Sequence, residues 1–570
     1  MKVIDFKDAG CRHCYKCVRY CEVKAISVQN EQAHIMEDHC IHCGQCLEIC
    51  PQNAKTFASD MERVKGYLKQ GIKTIVSIAP SYLSVLEFDQ PGQVVDALLK
   101  LGFSEVRETA EGAALVTEEY RRLLREGKMK NIISTCCPSI NDLIEKYYPS
   151  LTSQMAPVVS PMIAHGRLIK SIYGPDVKVV FLGPCIAKKE EAVGDARVMG
   201  AINAILTFEE IIKWWKSTGI DVRKCEEKPM GNPDPGVNQL YPSSGGVITS
   251  VLADAGKDTY HKIHADGIKT CMELLEELAR GEIEGCFFEL NICESGCIKG
   301  PASNRWQRSM LKAKMDLEGR IRHREDAREI DGSAVSMEKI FTDRSVHDQI
   351  PTDEQLTEIL HVMGKYTRAD ELNCGACGYS TCRNKAVAVF QGKAEISMCL
   401  PHAVAQAESM SNVVMDVTPN MIIVVDRDLR IRECNKRALD KLGVSREEAL
   451  ERYIFEFIEV EDIENVLATK EPIMRKKMNL ETLDMVVKET IIYIESKESV
   501  LVLYWDISKE EKAKEQHMNL KMETVEIAQK VIDKQMMVAQ EIAGLLGETT
   551  AETKVTLTKL RDSILDDGEE

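Results

Sequence analysis

The sequence predicts a multidomain protein of mixed α/β and α+β class, and three observations carry that prediction. At 570 residues the chain is too long for one hydrophobic core, and typical domain sizes divide it into roughly three to five compact units. Apolar runs from Thr74 to Ile78, Asn131 to Ser134 and Val177 to Leu182 are each flanked by helical periodicity, as buried parallel strands are. Residues 421–507 hold short strand-like runs (MIIVVD, RIRECN, MVVKETIIYI, VLVLYWDI) around a helical stretch, which is α+β in character. Boundaries are expected to give segments 1–60, 70–345, 350–403, 404–510 and 511–570.

Composition excludes several classes of function. Hydrophobic residues at 44% and charged residues at 29% are ordinary for a soluble protein, and no run of about 18 apolar residues could span a bilayer. The start, MKVIDFKDAGC, lacks the cationic and apolar regions of a secretory signal, so a cytoplasmic protein with no membrane contact is expected. A net charge of −17 argues against nucleic acid as a partner, because phosphate binding draws on concentrated Lys and Arg. The 21 cysteines fall in tight clusters, which in a reducing compartment reads as metal ligation rather than disulfides. Beyond residue 400 only Cys434 occurs.

In segment 1–60, Cys11, Cys14, Cys17 and Cys21 repeat as Cys40, Cys43, Cys46 and Cys50, followed by Pro51. This is the spacing of a bacterial-type two-cluster ferredoxin domain, in which three thiolates of one run hold a cube and the fourth ligates the other. Cys11, Cys14, Cys17 and Cys50 are thus assigned to one 4Fe-4S cluster, and Cys40, Cys43, Cys46 and Cys21 to the other. Glu22 stands where a proline would follow the first run. Eight thiolates at this interval suit clusters better than tetrahedral zinc sites.

Segment 350–403 carries Cys374, Cys377, Cys382 and Cys399, followed by Leu400 and Pro401. Four thiolates fit one 4Fe-4S cube in a small iron-sulfur domain, and they equally fit a structural zinc site. Gly375 and Gly378 favour a backbone wrapped closely round a cluster.

The middle region carries SerThrCysCysPro at 134–138, GlyProCysIleAlaLysLys at 183–189 and GluLeuAsnIleCysGluSerGlyCys at 289–297. These resemble, in order, the three signature motifs of the FeFe hydrogenases, and the resemblance covers residues 70–310. It implies an α/β H-cluster domain over 70–345, in which Cys137, Cys185, Cys293 and Cys297 bind the 4Fe-4S part of the H-cluster. Cys297 would also bridge to a diiron subcluster carrying CO, cyanide and a bridging amine dithiolate, supplied by hydrogenase maturation proteins. With the other sites the chain would hold three 4Fe-4S clusters plus an H-cluster.

The resemblance further makes Cys136 the thiol that passes protons to the bridging amine, a role that needs its proton affinity brought near that of the amine. It makes Lys188 the partner of one cyanide through a charge-assisted hydrogen bond. Ala79-Pro80-Ser81 becomes the wall that receives the other cyanide, and Tyr241 an aromatic lining of the same pocket.

Two departures stand out. Gly183 and Asn291 replace family methionines that pack on the diiron unit, which predicts a wetter or looser pocket. The family's proton-relay serine and glutamates fall here on Ala156, Tyr120 and Leu123, none an efficient carrier. An interrupted relay predicts slow turnover or another path, for which Glu289 and Glu294 are the nearest candidates; they could equally balance local charge. Cys225, Cys271 and Cys286 lack partner spacing and read as buried small apolar residues.

Residues Thr418 to Asp506 resemble a PAS domain. No histidine lies between His402 and His517, so histidine-ligated haem is not expected there, and relaying a signal is favoured over binding a small ligand. Beyond it, Met518, Met522, Val525, Gln529, Ile532, Met536, Ala539, Ala543 and Leu546 alternate at spacings of four and three, the seam of a coiled coil. A parallel homodimer with Gln529 setting register is favoured over a single amphipathic helix packed on the PAS sheet.

Together these features predict a sensory FeFe hydrogenase that reversibly and slowly oxidises H2 to protons and electrons. It would relay redox state through iron-sulfur clusters to a PAS and coiled-coil output, with a signalling kinase or phosphatase as the expected partner. One alternative is a metabolic hydrogenase linked to a redox protein such as ferredoxin. Another is a non-catalytic hydrogenase-like iron-sulfur assembly protein, against which the presence of both Cys136 and Lys188 argues.

Overall fold

The computed structural model describes residues 3–6, 10–253, 258–303, 309–321, 330–545 and 550–565. Two compact units emerge, Met1–His402 and Ala403–Glu570.

In the first unit, the two cysteine runs near the N-terminus each lead into a short helix, Lys16–Tyr20 and Gln45–Glu48. Tyr15 and Gly44 precede them in the left-handed region, at φ 51° and 74°, which turns each chain sharply round its thiols. Antiparallel pairs, Ile4–Phe6 with Lys55–Phe57 and Ile26–Gln29 with Gln32–Ile35, hold the loops.

The middle of the chain builds two parallel sheets. One runs Glu105–Glu108, Thr74–Ile78, Lys178–Gly183, Ala204–Thr207, and the other His261–Asp266, Cys286–Asn291, Ile132–Ile133. All five residues of Thr74–Ile78 are buried, because helices cover such a strand on both faces. Of the three predicted strands, this one spans the whole of its apolar run, Lys178–Gly183 is displaced by one residue, and Ile132–Ile133 is shorter than expected. Each motif follows or runs off the carboxyl end of its strand: Ala79-Pro80-Ser81 and Ser134 come just after Ile78 and Ile133, while the motifs starting at Gly183 and Glu289 begin in the strands that end at Gly183 and Asn291. That edge is where parallel sheets leave room for a ligand.

The four-cysteine segment does not pack alone. Tyr379, Ala388, Ala394 and Met398 share a core with Val18, Ile26 and Val28, and the Val28 N–H donates to the Lys393 carbonyl at 2.9 Å. Its helix Cys382–Phe390 starts at Thr381, whose side chain accepts from the Asn384 N–H.

The second unit contains a five-stranded antiparallel sheet in the order Ile431–Cys434, Met421–Val425, Ser499–Asp506, Met485–Ile494, Ile473–Leu480. The four predicted runs all form strands. Ile473–Leu480 was not anticipated, because Arg475, Lys476 and Lys477 face solvent and interrupt any apolar alternation. The helix Ser508–Leu545 covers the predicted seam as far as Met536 and Ala539, with Met518 and Met522 exposed. The Ala543 side chain and Leu546 lie outside the described residues. Beyond the seam a second helix, Thr550–Leu565, packs back against the first.

Inside this sheet Glu489 faces the core beside Val487 and Ile491, paired across the strands with Tyr504. The Glu489 carboxyl and the Tyr504 hydroxyl face one another there, with Asp462 beside the carboxyl. Burial raises the Glu489 carboxyl from 4.5 to about 7. A raised acid contributes stability that is full below its unfolded value and lost as pH climbs through its folded one. The protection of amides in Met485–Ile494, relative to their intrinsic exchange at each pH, is therefore expected to fall between about pH 5 and pH 8, and Glu489→Gln to flatten that fall.

Candidate metal centre

The three motif loops converge on one cavity of about 30 Å³, lined by Cys136, Cys137, Cys185, Cys293 and Cys297 together with His42, Lys188 and Asn291. Burial pushes the thiols upward, Cys136 to about 12 and Cys185 to about 11, while the Lys188 ammonium pulls both back. Thiols so enclosed need a metal to lose their protons. Among the described residues no three His, Cys, Asp or Glu side chains are grouped to hold a single ion. The sulfurs surround a space instead, which fits a multi-atom cluster.

Cys11, Cys14, Cys17 and Cys50 line a second cavity, of about 20 Å³, in the grouping that the ferredoxin spacing requires. Cys21, Cys40 and Cys46 all raise the proton affinity of Cys43, after burial, so these four thiols also face one another. The Cys40–Cys43 turn abuts the main cavity, with His42 Nδ1 3.1 Å from Asp142 Oδ2. Cys374, Cys377, Cys382 and Cys399 line a third cavity, also of about 20 Å³.

Around the main cavity, the nearly buried Lys188 donates to Ser160 Oγ at 3.5 Å and Glu191 Oε2 at 3.4 Å. Burial alone would lower its proton affinity, but Glu191, Cys185 and Cys297 raise it, so the ammonium stays charged. Ser81 is fully buried with an Oγ that has no partner, and Pro80 is buried beside it. An orphaned hydroxyl and a charged ammonium fit a group that brings its own hydrogen-bond acceptors, as cyanide ligands do. Tyr241 shares its hydroxyl with Thr117 Oγ1 at 2.8 Å and is electrostatically coupled to Cys136 and Glu289.

Several expectations need correction. At Gly183 the pocket is not looser: the Phe181 ring occupies the space, and a Cβ there would meet it at 2.6 Å. Tyr120 is no bystander, since its hydroxyl lies 3.3 Å from Cys136 Sγ and accepts from the Thr135 N–H at 2.9 Å. Leu123 and Ala156 are buried apolar groups. Glu294 points away and pairs with Lys299 at 2.6 Å, so it is not part of any inner path.

Glu289 behaves differently. It is 1% exposed and close enough to Cys136 to raise the thiol, and burial raises its own carboxyl to about 7. Ile248 N–H donates to one of its oxygens at 2.9 Å and Asn291 Nδ2 approaches the other at 3.3 Å. The same Asn291 Nδ2 reaches Asp266 Oδ1 at 3.2 Å, because parallel pairing sets Asp266 opposite Asn291. A polar chain thus runs from Glu289 to the half-buried Asp266 through the position where a methionine was expected. Sequence reasoning missed Ser160 and Glu191 as well; the i,i+3 spacing of Lys188 and Glu191 was the signal for the second.

Residues 72–301 match the family described as iron only hydrogenase large subunit, C-terminal domain. Residues 10–54 match a 4Fe-4S dicluster domain, 370–401 an Fe-S cluster family and 409–507 the PAS fold. Iron hydrogenase 1 of Clostridium pasteurianum is 26% identical over 307 residues, 44% of this chain and 53% of that protein. The periplasmic iron hydrogenase large subunit of Nitratidesulfovibrio vulgaris is 32% identical over 283 residues, 44% of this chain and 66% of that protein. The nuclear prelamin A recognition factor of Xenopus laevis is 21% identical over 352 residues, 49% of this chain and 76% of that protein. The chain thus spans between half and two thirds of the two hydrogenases it matches. Residues 72–301 thus form a domain of the iron-only hydrogenase large-subunit type, accompanied in the same chain by 4Fe-4S dicluster, Fe-S and PAS domains.

Proposed function

We propose that this protein is a hydrogen sensor that slowly and reversibly converts H2 to two protons and two electrons. It does so with an H-cluster and three 4Fe-4S clusters, and reports their redox state through its PAS and helical segments. The observation that carries this is a complete pocket beside a poor proton exit. Cys136, Lys188 and the orphaned Ser81 hydroxyl remain, while the relay positions hold Leu123, Ala156 and a phenol.

The diiron group, when bound, supplies the redox-active site at which H2 is split or formed. The chain does the rest. Cys137, Cys185, Cys293 and Cys297 would anchor the cube, Lys188 and Ser81 would orient the acceptor ligands, and Phe181, packed over Gly183, and the buried Tyr241 would help exclude water. Cys136 Sγ would take or give the proton, and the Glu289 and Asp266 carboxyls, which the Asn291 amide holds in line by donating to both, would accept it on the way outward. A single narrow path suits a sensor, which needs occupancy rather than flux.

The long helix Ser508–Leu545, with Met518 and Met522 exposed, supports a homodimer, and a kinase or phosphatase is the proposed recipient of the signal. No helix among the described residues is long and apolar enough to cross a membrane, and a cytoplasmic location is part of the proposal. The test is viologen-linked turnover of the anaerobic holoprotein. A rate below about 10 s⁻¹, a middling enzyme value, with reversible cluster bleaching under H2, supports a sensor. A rate near 10³ s⁻¹, the top of the ordinary range, would favour a metabolic, ferredoxin-linked hydrogenase.

A further inference from the structure

The contact between the four-cysteine segment and the ferredoxin segment is built around positive charge. Lys24 Nζ, half-buried, donates to the carbonyls of Val18 at 3.1 Å, Arg19 at 3.3 Å and Gly378 at 3.0 Å. It thus ties the end of the helix Lys16–Tyr20 to the loop that carries Cys377. Arg19 Nη1 adds a bond to the Ala376 carbonyl at 2.8 Å. Gly378, at φ +97°, lets the backbones close up, since a Cβ there would meet Val18 Cγ1 at 2.9 Å.

Beneath this seam lies Tyr379, 5% exposed, its hydroxyl without a partner. Two ammonium groups approach its ring, Lys24 and the fully buried Lys385, each 6.0 Å from the centroid. Among the described residues neither forms a salt bridge with a carboxylate. The anionic groups nearest them are chiefly thiols, Cys21 and Cys377 for Lys24 and Cys377 and Cys399 for Lys385, with Glu22 and Glu395 acting as well, and Lys385 Nζ donates to the Glu395 carbonyl. A lysine as deeply buried as Lys385 is costly without an anionic partner, and a thiolate-bound cube supplies one.

We propose that Lys24 and Lys385, gathered on Tyr379, are positioning residues that make the Cys374–Cys399 centre the preferred resting place of an electron leaving the ferredoxin segment. Buried positive charge beside a cluster stabilises its reduced, more negative form, and charge and hydrogen bonds are among the features that set cluster potentials. Lys24 also lies beside Cys21, a ligand of the neighbouring cluster, so the transfer route and the charge that biases it coincide. Cys399 is followed directly by the helix Leu400–Val417, so the electron would dwell where the chain leaves its metal-binding region. The inference rests on the four cysteines holding iron and sulfide.

The test is a potentiometric titration of the anaerobic holoprotein followed by electron paramagnetic resonance. The signal of the centre is assigned by its loss in Cys374→Ala. Lys24→Gln and Lys385→Met, measured separately, are each expected to make reduction of this centre about tenfold less favourable, a 59 mV fall for one electron. Lys24→Arg is expected to restore the value, because it keeps the charge. An unchanged potential in the Lys24→Gln protein with its iron content intact would overturn the proposal. Zinc in place of iron at this site in the unaltered protein would instead overturn the reading on which the proposal rests, and the two failures are told apart by metal analysis.

Discussion

Replacing Cys136 with alanine is expected to lower hydrogen turnover by about a thousandfold while every cluster keeps its iron. Among the groups that line the main cavity, Cys136 is the thiol that the resemblance frees from cluster ligation, and it has both an inner and an outer neighbour. Its sulfur meets the Tyr120 hydroxyl at 3.3 Å and lies in the field of Glu289 and Lys188. Alanine removes the proton carrier and leaves a gap that Tyr120 cannot bridge. A thousandfold lies within the usual contribution of a positioned acid or base. Anaerobic assay of the loaded variant, with iron analysis alongside, checks both halves of this expectation.

The second large effect belongs to Glu289. Glu289→Gln keeps the shape and the bond from the Ile248 N–H but cannot ionise, and turnover is expected to fall about a hundredfold. The pH profile gives the sign. With its carboxyl raised to about 7 by burial, Glu289 is mostly protonated below that pH and ionised above it. Oxidation of H2 needs an ionised acceptor and should rise as pH passes upward through about 7. Proton reduction needs the protonated form and should fall over the same range. Both inflections should vanish in the glutamine protein, and unchanged kinetics would remove Glu289 from the route.

How far the sequence reveals this molecule depends on whether a feature is local. Cysteine groupings such as Cys40, Cys43 and Cys46 are legible because a cube would demand several thiolates from one turn, so spacing alone brings them together. Thr74–Ile78 is legible because a strand covered on both faces is mostly apolar, its two polar residues, Thr74 and Ser77, being small and hydrogen-bonded within the core. The link from Glu289 to Asp266 is not, since it exists only through the parallel register that sets Asp266 opposite Asn291. Read along the chain, Asn291 is merely a lost methionine.

The same distinction explains the corrections. Glu289 and Glu294 look alike in sequence, but the first lies within a buried strand and the second sits in a turn, paired with Lys299. Gly183 reads as a void until Phe181, two residues back on the same strand, is seen to fill it. Tyr120 is assigned no role by motif comparison, and only the packing of its helix Ala110–Glu126 brings its hydroxyl to Cys136. The strand Ile473–Leu480 escapes notice because it carries a run of cations, the usual protection of a sheet edge.

The central claim, that this chain holds a working H-cluster, is tested most directly by infrared spectroscopy of anaerobic protein loaded with a synthetic diiron precursor, recorded with and without H2. The account predicts CO and cyanide bands that shift reversibly when H2 is admitted and withdrawn. Protein with its other iron-sulfur clusters intact but no such bands would contradict it and point to a non-catalytic, assembly-type relative of the hydrogenases.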